Sequence, residues 1–436
     1  MAYFADLHAA ASTLVAWLDL RHEQECDVEP YARDAVRRLE TVRRKVEKLG
    51  PPPELAEREP LELEAIRELR PRGRRSLALD LSDAALRDRM LGAWLGRAAG
   101  CILGIPCEGM AKHAIRAAAK AFAMRYPLDD YWALDPKPGN AEGKHYGLTP
   151  RRKFLKGHID RIGTDDDLTY TLLGLLILED YGIDFTAQHV GQAWLRYLPM
   201  ACTAERVALD NLREGLRPPE TALARNPYRE WIGADIRSDP WGYAAPGLPQ
   251  VAATFAYRDA SVSHRRTGVY GAMFFSAAIA AAFALDDVGE VLRAGLHEIP
   301  RDCRLAKTVR QTIRWCAQDG EWDKTTDRIL ERTQGMAGVH TLNNAALTVA
   351  GLIYGRGDYQ KTIALTVMGG LDTDCTGATA GSIVGAMRGA GRLPRKWVEP
   401  LGDRAESYIQ GHRRWRSSDV ARRFCRVAAQ VRDLWA

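Results

Sequence analysis

Four glycines at strict fourfold spacing, Gly92, Gly96, Gly100 and Gly104, are matched by a second set at Gly377, Gly381, Gly385 and Gly389, and each set falls in a segment that otherwise reads as helix. An interior glycine costs a helix about 1 kcal/mol relative to alanine, so eight at one period ask for a packing reason. Residues four apart form the ridges that interdigitate where helices cross closely. Both segments are therefore expected to pack tightly at the centre of the domain. Long Ala/Leu-rich stretches supply the helices around them, near 83 to 104, 165 to 180, 186 to 197, 269 to 285, 303 to 317, 342 to 354, 360 to 369 and 376 to 390. Alternating Val/Ile/Thr strands with hairpin turns are scarce, and the fold class is all-α.

The ends of the chain frame this centre. Residues 1 to 49 read as two charged amphipathic helices, near 5 to 20 and 30 to 49, before Gly50-Pro51-Pro52-Pro53 breaks the pattern. A short helix around Leu61 to Leu69 is closed off by Pro71-Arg72-Gly73, and Ser82 with Asp83 reads as the cap of the first core helix. The expected division is a helical extension over 1–80 and a main domain over 81–436. Two stretches, Pro127 to Ile162 and Leu216 to His264, are rich enough in Pro, Gly, Asp and Asn to be expected as irregular lids or binding loops.

Charge and cysteine usage limit the function classes. A net charge of +5, from 61 basic and 56 acidic residues, is too weak to require nucleic acid as a partner. The late arginines Arg404, Arg413, Arg414, Arg416, Arg422, Arg423 and Arg426 read as a solvated helix face rather than a phosphate-binding surface. Eight cysteines without a CxxC pair or a dense framework fit a reducing cytoplasm. The segment Met1 to Ala11 lacks the basic region and apolar core of a signal peptide. The most apolar run, Ala272 to Leu285, is too short to span a bilayer comfortably and reads as a buried core helix, so no membrane role is expected.

Chemistry concentrates at two acidic helix starts, Gly163-Thr164-Asp165-Asp166-Asp167 and Gly369-Gly370-Leu371-Asp372-Thr373-Asp374. Either one alone reads as capping, with Thr164 accepting a backbone N–H and carboxylates complementing the helix dipole. Three consecutive aspartates before an all-round apolar helix exceed what a cap needs. If the fold joins the two starts, five carboxylates share one pocket, and bound hard cations relieve their repulsion most readily. Oxygen-only ligands point to Mg²⁺, with Mn²⁺ or Ca²⁺ as alternatives, rather than zinc.

Over about residues 83 to 392 the chain resembles the ADP-ribosylglycohydrolases, a family that includes crystallin-like relatives. Leu91 to Gly96 followed by Gly104-Ile105-Pro106-Cys107-Glu108-Gly109 is similar to its glycine-rich first helix ending in a glutamate. Thr164-Asp165-Asp166 resembles its first metal motif, Ser263-His264 with Gly268-Val269-Tyr270-Gly271 its middle motif near the substrate, and Gly369 to Asp374 its second metal motif. The resemblance implies an orthogonal all-α bundle with two central Mg²⁺ ions that hydrolyses a bond at the anomeric carbon of a ribose. It implies Thr164, Asp165, Asp166, Asp372 and Asp374 as metal ligands, and Glu108, Asp165 and Asp374 as catalytic groups. The implied substrate is a small-molecule or protein-linked ribosyl compound. The chain departs from the family pattern where Cys375 follows Asp374 in place of Thr or Ser, where Asp167 replaces Thr or Ser, and where Cys101 stands in place of an aspartate. A neutral thiol is a poor Mg²⁺ ligand.

Further candidates surround these motifs. His264 and Gly268 are expected to contact substrate, with a packing role for the histidine as the alternative. Asp235 and Arg237, with Asp239 and Trp241, are expected to meet a phosphate or a base unless they form surface salt bridges. Thr341 or Asn343 is expected to cap the helix that follows. The competing reading is a non-catalytic binding or structural protein that keeps the fold without turnover.

Overall fold

The computed structural model of the chain describes residues 3–133 and 152–435, so residues 134–151 of the expected irregular stretch lie outside the described residues. Four helices come first: α1 (Ala5–Glu23), α2 (Glu29–Glu47), α3 (Pro53–Arg58) and α4 (Leu63–Glu68). Neither α1 nor α2 contains a buried residue. The segment after them is docked firmly. Ile66 is fully buried, Leu77 N–H donates to the Gly247 carbonyl at 2.8 Å, and buried Glu59 pairs with Arg304 at 2.7 Å.

The chain continues through α5 (Asp83–Gly104), α6 (Lys112–Ala121), α7 (Asp166–Tyr181), α8 (Ala187–Tyr197), α9 (Thr203–Arg213), α10 (Glu220–Leu223), α11 (Asp239–Ala244) and α12 (Pro249–Ala260). Then follow α13 (Thr267–Ala282), α14 (Val288–Leu296), α15 (Arg304–Asp319), α16 (Trp322–Arg332), α17 (Thr341–Gly355) and α18 (Tyr359–Val367). The last helices are α19 (Thr373–Arg388), α20 (Arg395–Val398) and α21 (Ser417–Trp435). Two short strands, β1 (Ala405–Glu406) and β2 (Arg414–Trp415), pair antiparallel, and Ala405 also bridges Ile162.

The glycine ladders face one another on α5 and α19, which run antiparallel. A methyl at Gly92 would lie 2.6 Å from the Gly385 carbonyl oxygen, and one at Gly377 2.5 Å from the Gly100 carbonyl oxygen. Gly96 opposes Gly381 in the same way, and Gly104 opposes the backbone of Thr373. Only the absence of side chains lets two backbones approach so closely. Gly389 differs from the expectation, since it lies just past α19 as its C-cap, at φ +79°.

Burial explains the apolar helices. All sixteen residues of α13 are buried. The stretch Asp83–Cys107 is long and apolar enough to cross a membrane, yet 89% of its apolar window is buried inside the fold. The stretch from Leu216 to His264 is a correction to the sequence reading, because it holds α10, a 3-10 turn (Ile232–Arg237), α11 and α12. Its prolines at 240 and 249 occupy first turns, where a missing N–H costs nothing, so they start helices. Ser82 caps α5 as expected, its Oγ accepting from Ala85 N–H at 3.3 Å.

Candidate metal centre and active site

The antiparallel pair α5–α19 brings the end of one helix to the start of the other. Thr373 Oγ1 donates to the last carbonyl of α5, that of Gly104, at 2.8 Å. Beyond it the chain makes a short antiparallel pairing, with Gly109 N–H donating to the Leu371 carbonyl at 2.8 Å and Leu371 N–H to the Met110 carbonyl at 3.1 Å. Gly370 at φ +83° is needed for this turn, since a side chain there would meet the Met110 carbonyl oxygen at 2.7 Å. These bonds fix Glu108 beside Asp372. Asn344 Oδ1 accepts from Asp372 N–H at 3.1 Å, and the Asn344 amide is itself held by the carbonyls of Gly338 and His340. Sequence reading passed over Asn344 because it looked like one more residue at a helix start.

The first acidic motif arrives from another direction. Ile162 is clamped between the Arg404 carbonyl and the Glu406 N–H, both at 2.9 Å, which sets the extended approach to α7. The cap of α7 is Asp165, which accepts from Asp167 N–H at 3.1 Å, and not Thr164. Buried Arg97 pins the turn from below, donating to the Asp167 carbonyl at 2.8 Å and to the Ile236 carbonyl, and pairing with Asp239 at 2.6 Å. Asp239 and Asp167 raise the Arg97 pKa even though burial opposes its charge. A fully enclosed cation of this kind is a residue that sequence alone could not single out.

Among the described residues three overlapping donor groups result, each with ligand atoms within 4.8 Å of one another: Asp165, Asp166 and Asp167; Asp167, Asp374 and Cys375; and Glu108, Asp372 and Asp374. Asp167 and Asp374 are shared, so the two motifs form one chain of carboxylates. Asp165, Asp167, Asp372 and Asp374 are buried, Asp166 and Thr164 are half-buried, and Glu108 is exposed, so the cluster opens on the side of Glu108 and Asp166. Burial first, then Asp166, pushes the Asp165 carboxyl up to about 7. Asp167 and Asp374 are raised further, by burial and then by the facing carboxylates Asp165 and Asp372 respectively, and Asp372 is raised chiefly by burial. Asp374 Oδ1 has no hydrogen-bond partner among the described residues, and Asp167 Oδ1 has only Arg97 at 3.5 Å. Buried carboxylate oxygens without donors, facing one another, suit divalent cations, which supply the missing positive charge.

The other expected substrate residues lie in a second, closed cluster. Arg237 pairs with Asp259 at 3.2 Å, donates to Ser263 Oγ at 2.7 Å, approaches Glu205 at 3.7 Å, and lies over the Trp194 ring at 4.7 Å. His264 Nδ1 meets Ser263 Oγ at 2.8 Å, its Nε2 has no partner among the described residues, and burial followed by the Arg237 and Arg265 charges holds its pKa well below the usual value. Gly268 makes room for that ring, a methyl there lying 2.7 Å from His264 Cδ2. Asp235 faces Gly271, neither carboxyl oxygen has a hydrogen-bond partner among the described residues, and burial alone raises its pKa strongly. His264, Arg237, Asp235 and Asp239 are all at most 1% exposed, and Asp239 is spent on Arg97. Glu205, raised to about 7 chiefly by burial, sits between the clusters, with Arg237 on one side and the Asp166 charge on the other. The helix after His340 is capped by His340 Nδ1, accepting from Leu342 N–H at 3.1 Å; Asn343 Oδ1 accepts from Asn344 N–H at 2.9 Å in the same turn, and the Thr341 hydroxyl donates to the Trp231 carbonyl.

A family model described as ADP-ribosylglycohydrolase matches residues 82–432. A solved structure of an ADP-ribosylglycohydrolase-related protein complex superposes with a TM-score of 0.53 at 20% identity, covering 79% of this chain and 99% of that one, which supports the shared fold. No curated protein matches the chain.

Proposed function

The chain belongs to the ADP-ribosylglycohydrolase family of glycosidic-bond hydrolases, and on that premise we propose that it cleaves the N- or O-glycosidic bond at ribose C1 of an ADP-ribosyl conjugate or a related ribosyl compound, with divalent cations bound by its joined acidic motifs. The observation that carries this reading is the convergence of Glu108, Asp372 and Asp374 with Asp165, Asp166 and Asp167 in one mostly buried cluster with unsatisfied oxygens. Asp165, Asp166, Asp372 and Asp374, with the Thr164 hydroxyl, are the ligands in this reading, and Mg²⁺ is the expected ion. When bound, such ions grip ribose hydroxyls and lower the pKa of a water molecule. Glu108, exposed at the mouth, would give a proton to the departing group and take one from the attacking water. The negative field of the cluster, Asp165 and Asp374 above all, stabilises the positive charge that develops on the sugar ring as the bond breaks.

The test is incubation with ADP-ribosylated arginine, ADP-ribosylated serine and simple nucleosides, with and without chelator. Sugar release from one of them that disappears with chelator and returns with Mg²⁺ is the expected result. No metal-dependent release from any of them refutes the proposal.

A further inference from the structure

The three donor groups differ in chemistry. Glu108, Asp372 and Asp374 offer oxygen only, whereas the inner group combines one oxygen each of Asp167 and Asp374 with the Cys375 sulfur. All three inner residues are buried, and Cys375 Sγ stands 3.3 Å from Asp167 Oδ2. Asp374 Oδ1, buried and without a hydrogen-bond partner among the described residues, belongs to this same group, and Asp167 Oδ1 has only the Arg97 guanidinium at 3.5 Å. A hard ion such as Mg²⁺ requires near-octahedral oxygen coordination and gains little from a thiol. A borderline-soft ion accepts mixed sulfur and oxygen donors, and in a tetrahedral site an S and an O ligand stand about 3.6 Å apart, close to the spacing found here. Burial, then the charges of Asp167, Asp372 and Asp374, push the Cys375 thiol well up, so an ion that binds the sulfur must displace its proton.

We infer that the inner position, Asp167, Asp374 and Cys375, is a mixed thiolate–carboxylate site for a borderline-soft divalent ion of the Zn²⁺ or Co²⁺ class, distinct in preference from the all-oxygen group at Glu108. The inference rests on the reading that the acidic cluster holds divalent cations, and it assigns the two positions to different ions. Cys101, whose Sγ meets Asp165 Oδ1 at 3.4 Å, belongs to the neighbouring motif and not to the inner set.

The experiment uses the full chain carrying Cys26→Ser and Cys202→Ser, which removes the two exposed thiols. After metal removal, Co²⁺ is added stoichiometrically while the near-ultraviolet sulfur-to-metal charge-transfer band is followed. The band is expected to appear, to survive Cys101→Ser and a large excess of Mg²⁺, and to vanish in Cys375→Ser, which also weakens Zn²⁺ binding about 10-fold or more while Mg²⁺ binding changes less than about 2-fold. Should Cys375→Ser fail to fold, X-ray absorption on the Zn²⁺-loaded parent decides, with a sulfur scatterer at about 2.3 Å expected. Co²⁺ that binds without the band, a band lost only in Cys101→Ser, or an oxygen-only shell overturns the inference and leaves the divalent-cation reading standing. Absence of binding by any divalent ion overturns both.

Discussion

Replacing Gly377 with alanine tests the α5–α19 interface and the proposed metal centre together. The added methyl would lie 2.5 Å from the Gly100 carbonyl oxygen and 2.8 Å from Val367 Cγ2, against ordinary contact from 3.4 Å. Relief needs a shift of about 0.9 Å, the difference between 3.4 and 2.5 Å. The obstructing oxygen is main chain of a 22-residue helix that meets α19 along its own glycine ladder, so it cannot turn aside as a side chain would. Overpacking of this kind costs about 1–3 kcal/mol, and a main-chain obstruction belongs at the upper end. Alanine returns about 1 kcal/mol of helix propensity, so the net loss is about 2 kcal/mol. An isolated or exposed helix would show the opposite sign, which makes Gly289→Ala, exposed in the first turn of α14 and obstructed only by the side-chain Oδ1 of Asp287 at 3.0 Å, the control. Urea denaturation followed by circular dichroism should place the Gly377 variant below the parent and the control at or slightly above it. Because Gly377 follows Asp374 by less than one turn, the same shift moves the Asp374 carboxylate relative to Glu108, and calorimetric metal affinity should fall about 10-fold or more. A Gly377→Ala protein with parental stability and metal affinity refutes the argument that the glycine ladder builds the site.

The remaining expectations are narrower. Asn344→Ala removes the acceptor that holds Asp372 N–H, and calorimetry should show divalent-ion affinity about 10-fold weaker; parental affinity would deny Asn344 a positioning role. Glu205 and Asp259 are raised by burial to about 7 and about 6 from 4.5 and 3.8, so between these values the folded state binds more protons than the unfolded. Their contribution to stability is therefore full below about pH 4 and is lost as pH rises through about 7; Glu205→Gln should flatten this part of the melting profile, and an unaltered slope argues against it. Deleting residues 1–49 removes only helices without buried residues and should leave the melting temperature within about 2 °C, whereas Ile66→Ala should cost about 2–4 kcal/mol. A large loss on deletion would mean that α1 and α2 contribute to the core after all.

Sequence by itself determined the all-α class, the central helix pair and the acidic starts of α7 and α19, because these are local signals: a glycine period, an apolar run, carboxylates at a helix N-terminus. Helices that bury only a stripe were harder to read. In α16 the buried residues are Trp322, Thr325, Thr326 and Ile329, and two threonines on the inner face hide the apolar spacing. Prolines 240 and 249 misled for a similar reason, since a proline that starts a helix and one that breaks it look alike until the next turn is seen. Tertiary structure alone decided which donors meet. Arg97 reaches Asp167 across 70 residues, Asn344 supports Asp372 across 28, and Cys375 Sγ joins Asp167 across 208. It also enclosed Asp235, Arg237 and His264, which the sequence placed in an open loop. Burial and pairing depend on what packs against a residue, and that partner is chosen by the whole fold rather than by its neighbours in the chain.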